Sequence, residues 1–179
     1  MAYGYGKALE KQIEMANNQY LERKIGDIQK VETPVMLDRR TGQGKPTKKS
    51  IVDFIGFYIK DGKFMPVAFD AKETRDERAF PLSSIKEHQF EYLKIRHDFG
   101  TEAFLIIYAV HHDVCFRLDF PLLAKWWKAK KRKEPMEGCK TYASIPFPWL
   151  AKHCPQLFSS RGIILDYLMV ENGGKIDKA

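Results

Sequence analysis

"SIVDFIGFYIKDGKFMPVAFDAKET", residues 50–74, decides how this chain folds. Two runs rich in β-branched and aromatic residues flank Lys60-Asp61-Gly62-Lys63. Asp-Gly between such runs is a strong hairpin signal, because a two-residue type I′ turn needs positive φ at both central positions. With Asp61-Gly62 as that turn, Lys60 faces Lys63, and the same register carries Asp53 opposite Asp70. A four-residue loop keeps this register; a three-residue loop shifts it. Residues directly opposite project from one face, with Cβ atoms about 4.5–5.5 Å apart. Lys72, two residues beyond Asp70, shares that face. The other face of the second strand, Met65, Val67, Phe69 and Ala71, is apolar and suits a helix layer.

An acid opposite an acid is destabilising unless something offsets the repulsion. A divalent cation does so, and two carboxylates with retained waters suit Mg2+. In this reading Asp53 and Asp70 hold the metal and the scissile phosphate, and the backbone carbonyl of Ala71 adds a ligand. The metal would activate water and stabilise the charge developing on phosphorus. Lys72 would orient the attacking water or neutralise the pentacovalent phosphate. The plain alternative is a solvated strand face with an incidental ion pair. Asp-x-Lys alone is common in proteins; the acid in register across the hairpin gives it weight.

Working outward, residues 7–25 read as a helix, with Leu9, Ile13, Ala16 and Tyr20 forming one stripe. Glu10 and Glu14 lie beside it, and either is as readily a solvated flank residue. "VETPVML" (31–37) is a short strand or its approach. "DRRTGQGKPTKKS" (38–50) carries Arg39, Arg40, Lys45, Lys48 and Lys49, with two glycines and a proline and no periodicity. It is a basic loop or projecting hairpin: a solvated linker, or an arm that contacts phosphate. Residues 83–100 form a helix capped by Ser84 with Glu87 and stopped at Gly100, with Ile85, Gln89, Tyr92 and Arg96 on one face. Residues 102–110 are a buried strand and 113–120 an alternating one, with His111-His112 at their turn. Residues 121–133 are a helix opened by Pro121 and ending in lysines, which suit a helix C-terminus and could equally meet phosphate. "SIPFPWL" (144–150) is broken by proline, and 162–174 ends the fold as a helix. The order of elements predicts an α/β fold with a mixed central sheet flanked by helices, in one domain over 1–179.

The chain of 179 residues is 44% apolar and 30% charged, ordinary for a globular protein. No apolar run approaches the ~18 residues of a membrane span, and the N-terminal stretch has no signal-peptide core. Three cysteines without paired spacing fit a reducing cytoplasm rather than a disulfide framework. The formal charge of +7 favours polyanionic partners, nucleic acid above all, and no membrane role is expected. His153, Cys154 and Cys139 lack zinc-site spacing. Trp126-Trp127 could stack bases, but adjacent helical positions more simply put one in the core and one at an interface. Walker, nucleophile-elbow and dinucleotide motifs are lacking.

The ordered segments "GKALE" (6–10), "TPV" (33–35), "VDFIG" (52–56), "FDAKET" (69–74) and "FPLSSIKEHQ" (80–89) resemble the RecU-type Holliday junction resolvases, with weaker similarity through "RGIILDYL" (161–168). The resemblance covers nearly the whole chain. It implies a PD-(D/E)xK restriction-endonuclease-like fold and a homodimer that nicks four-way DNA junctions with Mg2+ or Mn2+. It implies metal ligation by Asp53 and Asp70, a catalytic Lys72, the first-helix acid at Glu10 in preference to Glu14, and a helix glutamine at Gln89. Lys30 and Thr33 match positions near the cleaved strand, and residues 36–50 match a stalk that enters the junction. Asp70 stands where such proteins usually carry Glu, and Tyr5 where they carry Arg. Two other readings are a related nuclease acting on forks or duplex and a non-catalytic DNA-binding recombination factor. A protein partner such as a recombinase is left open.

Overall fold

The computed structural model describes residues 6–32, 35–37, 44–46 and 51–168. In chain order the elements are α1 (Gly6–Glu22), β1 (Gly26–Lys30), β2 (Val35–Leu37), β3 (Gly44–Pro46), β4 (Phe54–Lys60), β5 (Lys63–Thr74) and β6 (Ala79–Pro81). Then follow α2 (Glu87–Asp98), β7 (Glu102–Ala109), β8 (Val114–Asp119), α3 (Phe120–Arg132), β9 (Ser144–Pro146), α4 (Phe147–His153) and β10 (Gln156–Leu157).

A six-stranded sheet runs β1-β4-β5-β7-β8-β10. Only β5 and β7 pair in parallel; the other neighbours are antiparallel, so the sheet is mixed as the sequence predicts. The hairpin register is the expected one, from Lys60 opposite Lys63 to Phe54 opposite Phe69. Asp61 and Gly62 have φ of 50° and 74°, the double positive φ of a type I′ turn.

Alternation along the strands divides the core in two. Val67, Phe69, Phe104 and Ile106 pack with Leu9, Ile13, Ala16 and Tyr20 of α1. Leu105, Ile107 and Leu118 pack on the opposite face with α2, α3 and α4. The predicted stripe of α1 is therefore its buried face. The helix stops at Glu22, short of residue 25, because Lys24 turns left-handed (φ 56°) and leads into β1.

Three expectations about α2 and α3 need correction. α2 begins at Glu87; Ser84 lies in a preceding 3-10 turn, where its Oγ donates to Pro81 O at 2.7 Å. The inward face of α2 is Gln89, Phe90 and Leu93, while Arg96 is exposed. Trp126 and Trp127 are both buried, with the Trp127 ring stacked on Phe90 at 4.5 Å.

Residues 162–168 are not helical. They form an extended strap over the α1 side of the sheet, burying Ile163, Leu165, Tyr167 and Leu168. The strap's backbone finds its partners in the backbone of residues 158–160 and in side chains rather than in a helical ladder. The Tyr20 hydroxyl accepts the N–H groups of Tyr167 (2.9 Å) and Leu168 (3.3 Å), and Arg117 Nη1 donates to Tyr167 O at 2.8 Å. An apolar run of this length suits a buried helix segment and a buried extended segment equally well.

In the 36–50 segment β2 and β3 pair antiparallel as a separate two-stranded sheet, with Met36 opposite Lys45. Thr33, Arg39, Arg40, Lys48 and Lys49 lie outside the described residues. Among the described residues, no helix is long and apolar enough to cross a membrane.

Candidate active site

The site forms where β4 gives out and β5 continues. The β4–β5 ladder ends at Phe54 opposite Phe69, whereas β5 runs on to Thr74. Asp53, just beyond the ladder, turns its carboxylate onto β5, and Oδ2 accepts the N–H of Ala71 at 2.9 Å. In a strand, the N–H and C=O of one residue leave by the same edge. The Ala71 carbonyl therefore points to the side where Asp53 stands.

Asp70 faces α2 and is fully buried. Three groups surround its carboxylate. Lys72, whose side chain is 18% exposed, makes an ion pair through Nζ to Oδ2. Gln89 Nε2 donates to Oδ1 at 3.1 Å and Oδ2 at 3.3 Å. The Asp53 carboxylate is close enough to act on it electrostatically. Burial pushes the Asp70 carboxyl up to about 7; the Lys72 charge opposes this and the Asp53 carboxylate adds to it. A buried acid beside a second acid is stable only when a proton, an ammonium or a metal cation supplies countercharge.

Gln89 sits in the first turn of α2, where its Oε1 accepts the N–H of Lys86 at 3.2 Å. One amide thus ties the helix start to the β5 carboxylate. The packing of Phe90 and Leu93 on the sheet fixes the approach.

Glu10 and Lys30 lie on the other side of the sheet. Lys30 Nζ bridges Glu10 Oε2 at 2.7 Å and Glu14 Oε1 at 2.6 Å. These two acids, Glu10 first, hold the Lys30 ammonium above its ordinary range. Both acids singled out on α1 therefore meet the same lysine. No described contact brings Glu10 to Asp53 or Asp70.

One acid escaped the sequence reading. Glu73 Oε1 accepts the N–H of Leu9 at 3.2 Å, so β5 caps the first turn of α1, which has no acid of its own. Burial raises the Glu73 carboxyl, and the Glu10 charge adds to this. Strand alternation in "AKET" already puts Glu73 on the face opposite Asp70 and Lys72; only the contact with α1 is new.

The donor set can be tested against a metal. Among the described residues, no group of three or more His, Cys, Asp and Glu side chains converges on a point. Soft or nitrogen-rich coordination of the zinc type has no basis there. Two carboxylates and a backbone carbonyl are hard oxygen donors, the kind Mg2+ takes while keeping several waters. The residues fit that ion.

Residues 4–172 match the family model described as Recombination protein U, RecU. The chain belongs to the RecU family. A Holliday junction resolvase RecU of Pediococcus pentosaceus is 33% identical over 173 residues, 92% of this chain and 77% of the relative. The RecU resolvase of Oceanobacillus iheyensis is 31% identical over 156 residues, 79% of this chain and 78% of the relative. That of Staphylococcus saprophyticus is 29% identical over 134 residues, 70% of this chain and 62% of the relative. RecU membership accords with the mixed six-stranded sheet flanked by helices, which is consistent with a nuclease-like core.

Proposed function

We propose that this protein is a metal-dependent, structure-selective DNA endonuclease that resolves four-way junctions in recombination and repair. RecU relatives named as Holliday junction resolvases supply the substrate class. The observation that carries the chemistry is the buried Asp70 carboxylate with Lys72, Gln89 and Asp53 around it.

Asp53, Asp70 and the Ala71 carbonyl would hold Mg2+, or Mn2+ in its place. When bound, that ion supplies an activated water and charge stabilisation at phosphorus. Lys72 holds its ammonium beside the Asp70 carboxylate, where it can orient the water or meet the phosphoryl oxygens. Gln89 keeps the carboxylate plane fixed by donating to both oxygens. Glu10 would join from α1, whose first turn Glu73 caps at the Leu9 N–H, once a DNA phosphate draws away the Lys30 that holds it. Lys30, Thr33, Arg39, Arg40, Lys45, Lys48 and Lys49 serve as contacts to the DNA backbone.

Paired nicks need two sites, and the β4–β5 hairpin offers a surface for a homodimer. Ile55, Phe57, Ile59 and Phe64 are exposed on it, Phe64 by 68%, with the Phe57 and Phe64 rings 5.0 Å apart. Adjacent exposed apolar residues of this size mark an interaction site. The enzyme would act in the cytoplasm with other recombination proteins.

The test is incubation with a synthetic four-way junction and a matched duplex, under Mg2+, Mn2+ or chelator, beside Asp70→Asn. Symmetric, metal-dependent nicking of the junction alone supports the proposal. Equal cutting of duplex points to a nuclease of different substrate. Tight binding without cleavage under either metal overturns the nuclease reading.

A further inference from the structure

Away from the carboxylates, α3 carries an unbalanced charge. Lys125, Lys128, Lys130, Lys131, Arg132 and Lys133 fall within nine residues that contain no acid. Some of these have work inside the fold. Lys130 Nζ donates to Leu82 O at 3.0 Å and lies 4.2 Å from the Trp127 ring centroid. Lys131 pairs with Glu87 at 2.8 Å. These two also complement the negative end of the helix.

Lys125, Lys128 and Arg132 do none of this. They recur at i, i+3 and i+7, so they line one row of the helix surface. That row lies opposite the buried Leu123, Trp126 and Trp127 and is exposed throughout. Lys125 and Lys128 have no carboxylate partner among the described residues, and Arg132 reaches Glu134 only at 4.0 Å. A helix needs no such row for its own stability.

The place of the row matters as much as its charge. α3 packs on α2 through Phe90 and Trp127, and its last turn meets the first turn of α2 through Lys131 and Glu87. Two residues on, Gln89 holds Asp70. Because Trp127 is the face turned to α2, the cationic row projects from the far side of α3, with α3 and α2 between it and the candidate scissile site. At 1.5 Å rise per residue the row is about 10 Å long. One strand of B-DNA carries about three phosphates over that length, at 3.4 Å of axis each.

We propose that Lys125, Lys128 and Arg132 form a phosphate-tracking surface on the outer face of α3 that seats a duplex arm of the DNA away from the cut strand. This rests on the nuclease reading, and it is separate from the basic 38–50 segment. Long exposed cations read backbone charge rather than sequence, so the row contributes affinity and salt dependence, not base preference.

The experiment compares wild type with Lys125→Gln/Lys128→Gln/Arg132→Gln and with the charge-conserving Lys125→Arg/Lys128→Arg/Arg132→Lys. Binding to a four-way junction with long arms is measured across a salt series in chelator, and single-turnover cleavage at saturating protein in Mg2+. The glutamine variant should flatten the slope of log K against log salt by roughly 2–3, at about 0.9 per lost phosphate contact. Its junction affinity should fall at least about tenfold at low salt, with the saturated cleavage rate unchanged. The charge-conserving variant should keep the wild-type slope, and matching thermal melts exclude misfolding. A glutamine variant that still cleaves and whose slope stays within about 0.5 of wild type overturns the inference. Wild type that neither binds nor cuts the junction sinks the nuclease reading and this inference together.

Discussion

Gln89 Nε2 donates to both oxygens of Asp70, at 3.1 and 3.3 Å, while Gln89 Oε1 accepts the N–H of Lys86. The amide is engaged through both its nitrogen and its oxygen, so its orientation is set from both ends. Gln89→Ala should loosen Asp70 without removing a charge. Partners of ligating carboxylates are typically worth 10–100-fold in metal affinity or activity. Cleavage by Gln89→Ala should therefore drop by about that factor, with half-saturation shifted to higher Mg2+ and junction affinity in chelator unchanged. A Mg2+ titration of cleavage checks this; an unshifted midpoint would remove Gln89 from the site.

Asp70→Asn should abolish cleavage yet not weaken the fold at alkaline pH. The Asp70 carboxyl lies at about 7 in the folded chain, above its ordinary value of 3.8. Between those values the folded state binds the extra proton, so this group favours folding most below the lower value. That contribution is lost as pH rises through about 7. In chelator, wild type should lose thermal stability relative to Asp70→Asn between pH 5.5 and 8. Mg2+ competes with the proton for the same oxygens, so it should raise the wild-type Tm more at pH 8 than at pH 6. Parallel Tm profiles for the two proteins would contradict the burial argument.

Gly56→Ala tests the packing behind the site. Gly56 of β4 is paired with Ile28 of β1, and a Cβ there would lie 2.6 Å from the Ile28 Cα. The obstacle is backbone, which cannot swing aside. Overpacking of this kind costs typically 1–3 kcal/mol. Urea denaturation should show a loss of about that size at unchanged m-value. A neutral result would mean that β1 moves freely against β4.

The face that carries Asp70 and Lys72 was readable from sequence because the hairpin turn is a local code. Asp61-Gly62 sets the register, and alternation then puts Asp70 and Lys72 on one face and Val67 and Phe69 on the other. The stripe Leu9, Ile13, Ala16 and Tyr20 was readable for the same reason, a period matched to one element. The helix pattern put Gln89 on a face, but its role beside Asp70 entered only through resemblance. Its amide meets Asp70 because α2 starts at Glu87 rather than in the Ser84 turn, a boundary decided by packing on the sheet. β1 is five residues long and shows little alternation, so it stayed hidden. The strap at 162–168 was misread because its apolar spacing fits a helix. The deciding partners, Tyr20 and Arg117, come from distant parts of the chain.

Tyr20→Phe isolates that strap. The Tyr20 hydroxyl donates to Asp166 Oδ1 at 2.9 Å and accepts the N–H groups of Tyr167 and Leu168. Removing it keeps the ring, which meets Tyr167 edge-on at 5.3 Å, but leaves two buried donors without their acceptor. An unsatisfied buried polar group costs about 1–3 kcal/mol. The variant should lose on the order of 2–3 kcal/mol, and amide exchange at Tyr167 and Leu168 should speed up before that of the β5 and β7 amides. Asp166 keeps its pair with Arg161, so the loss is confined to the strap and α1. Exchange that accelerates equally across the sheet would mean that the strap and the sheet open as one unit.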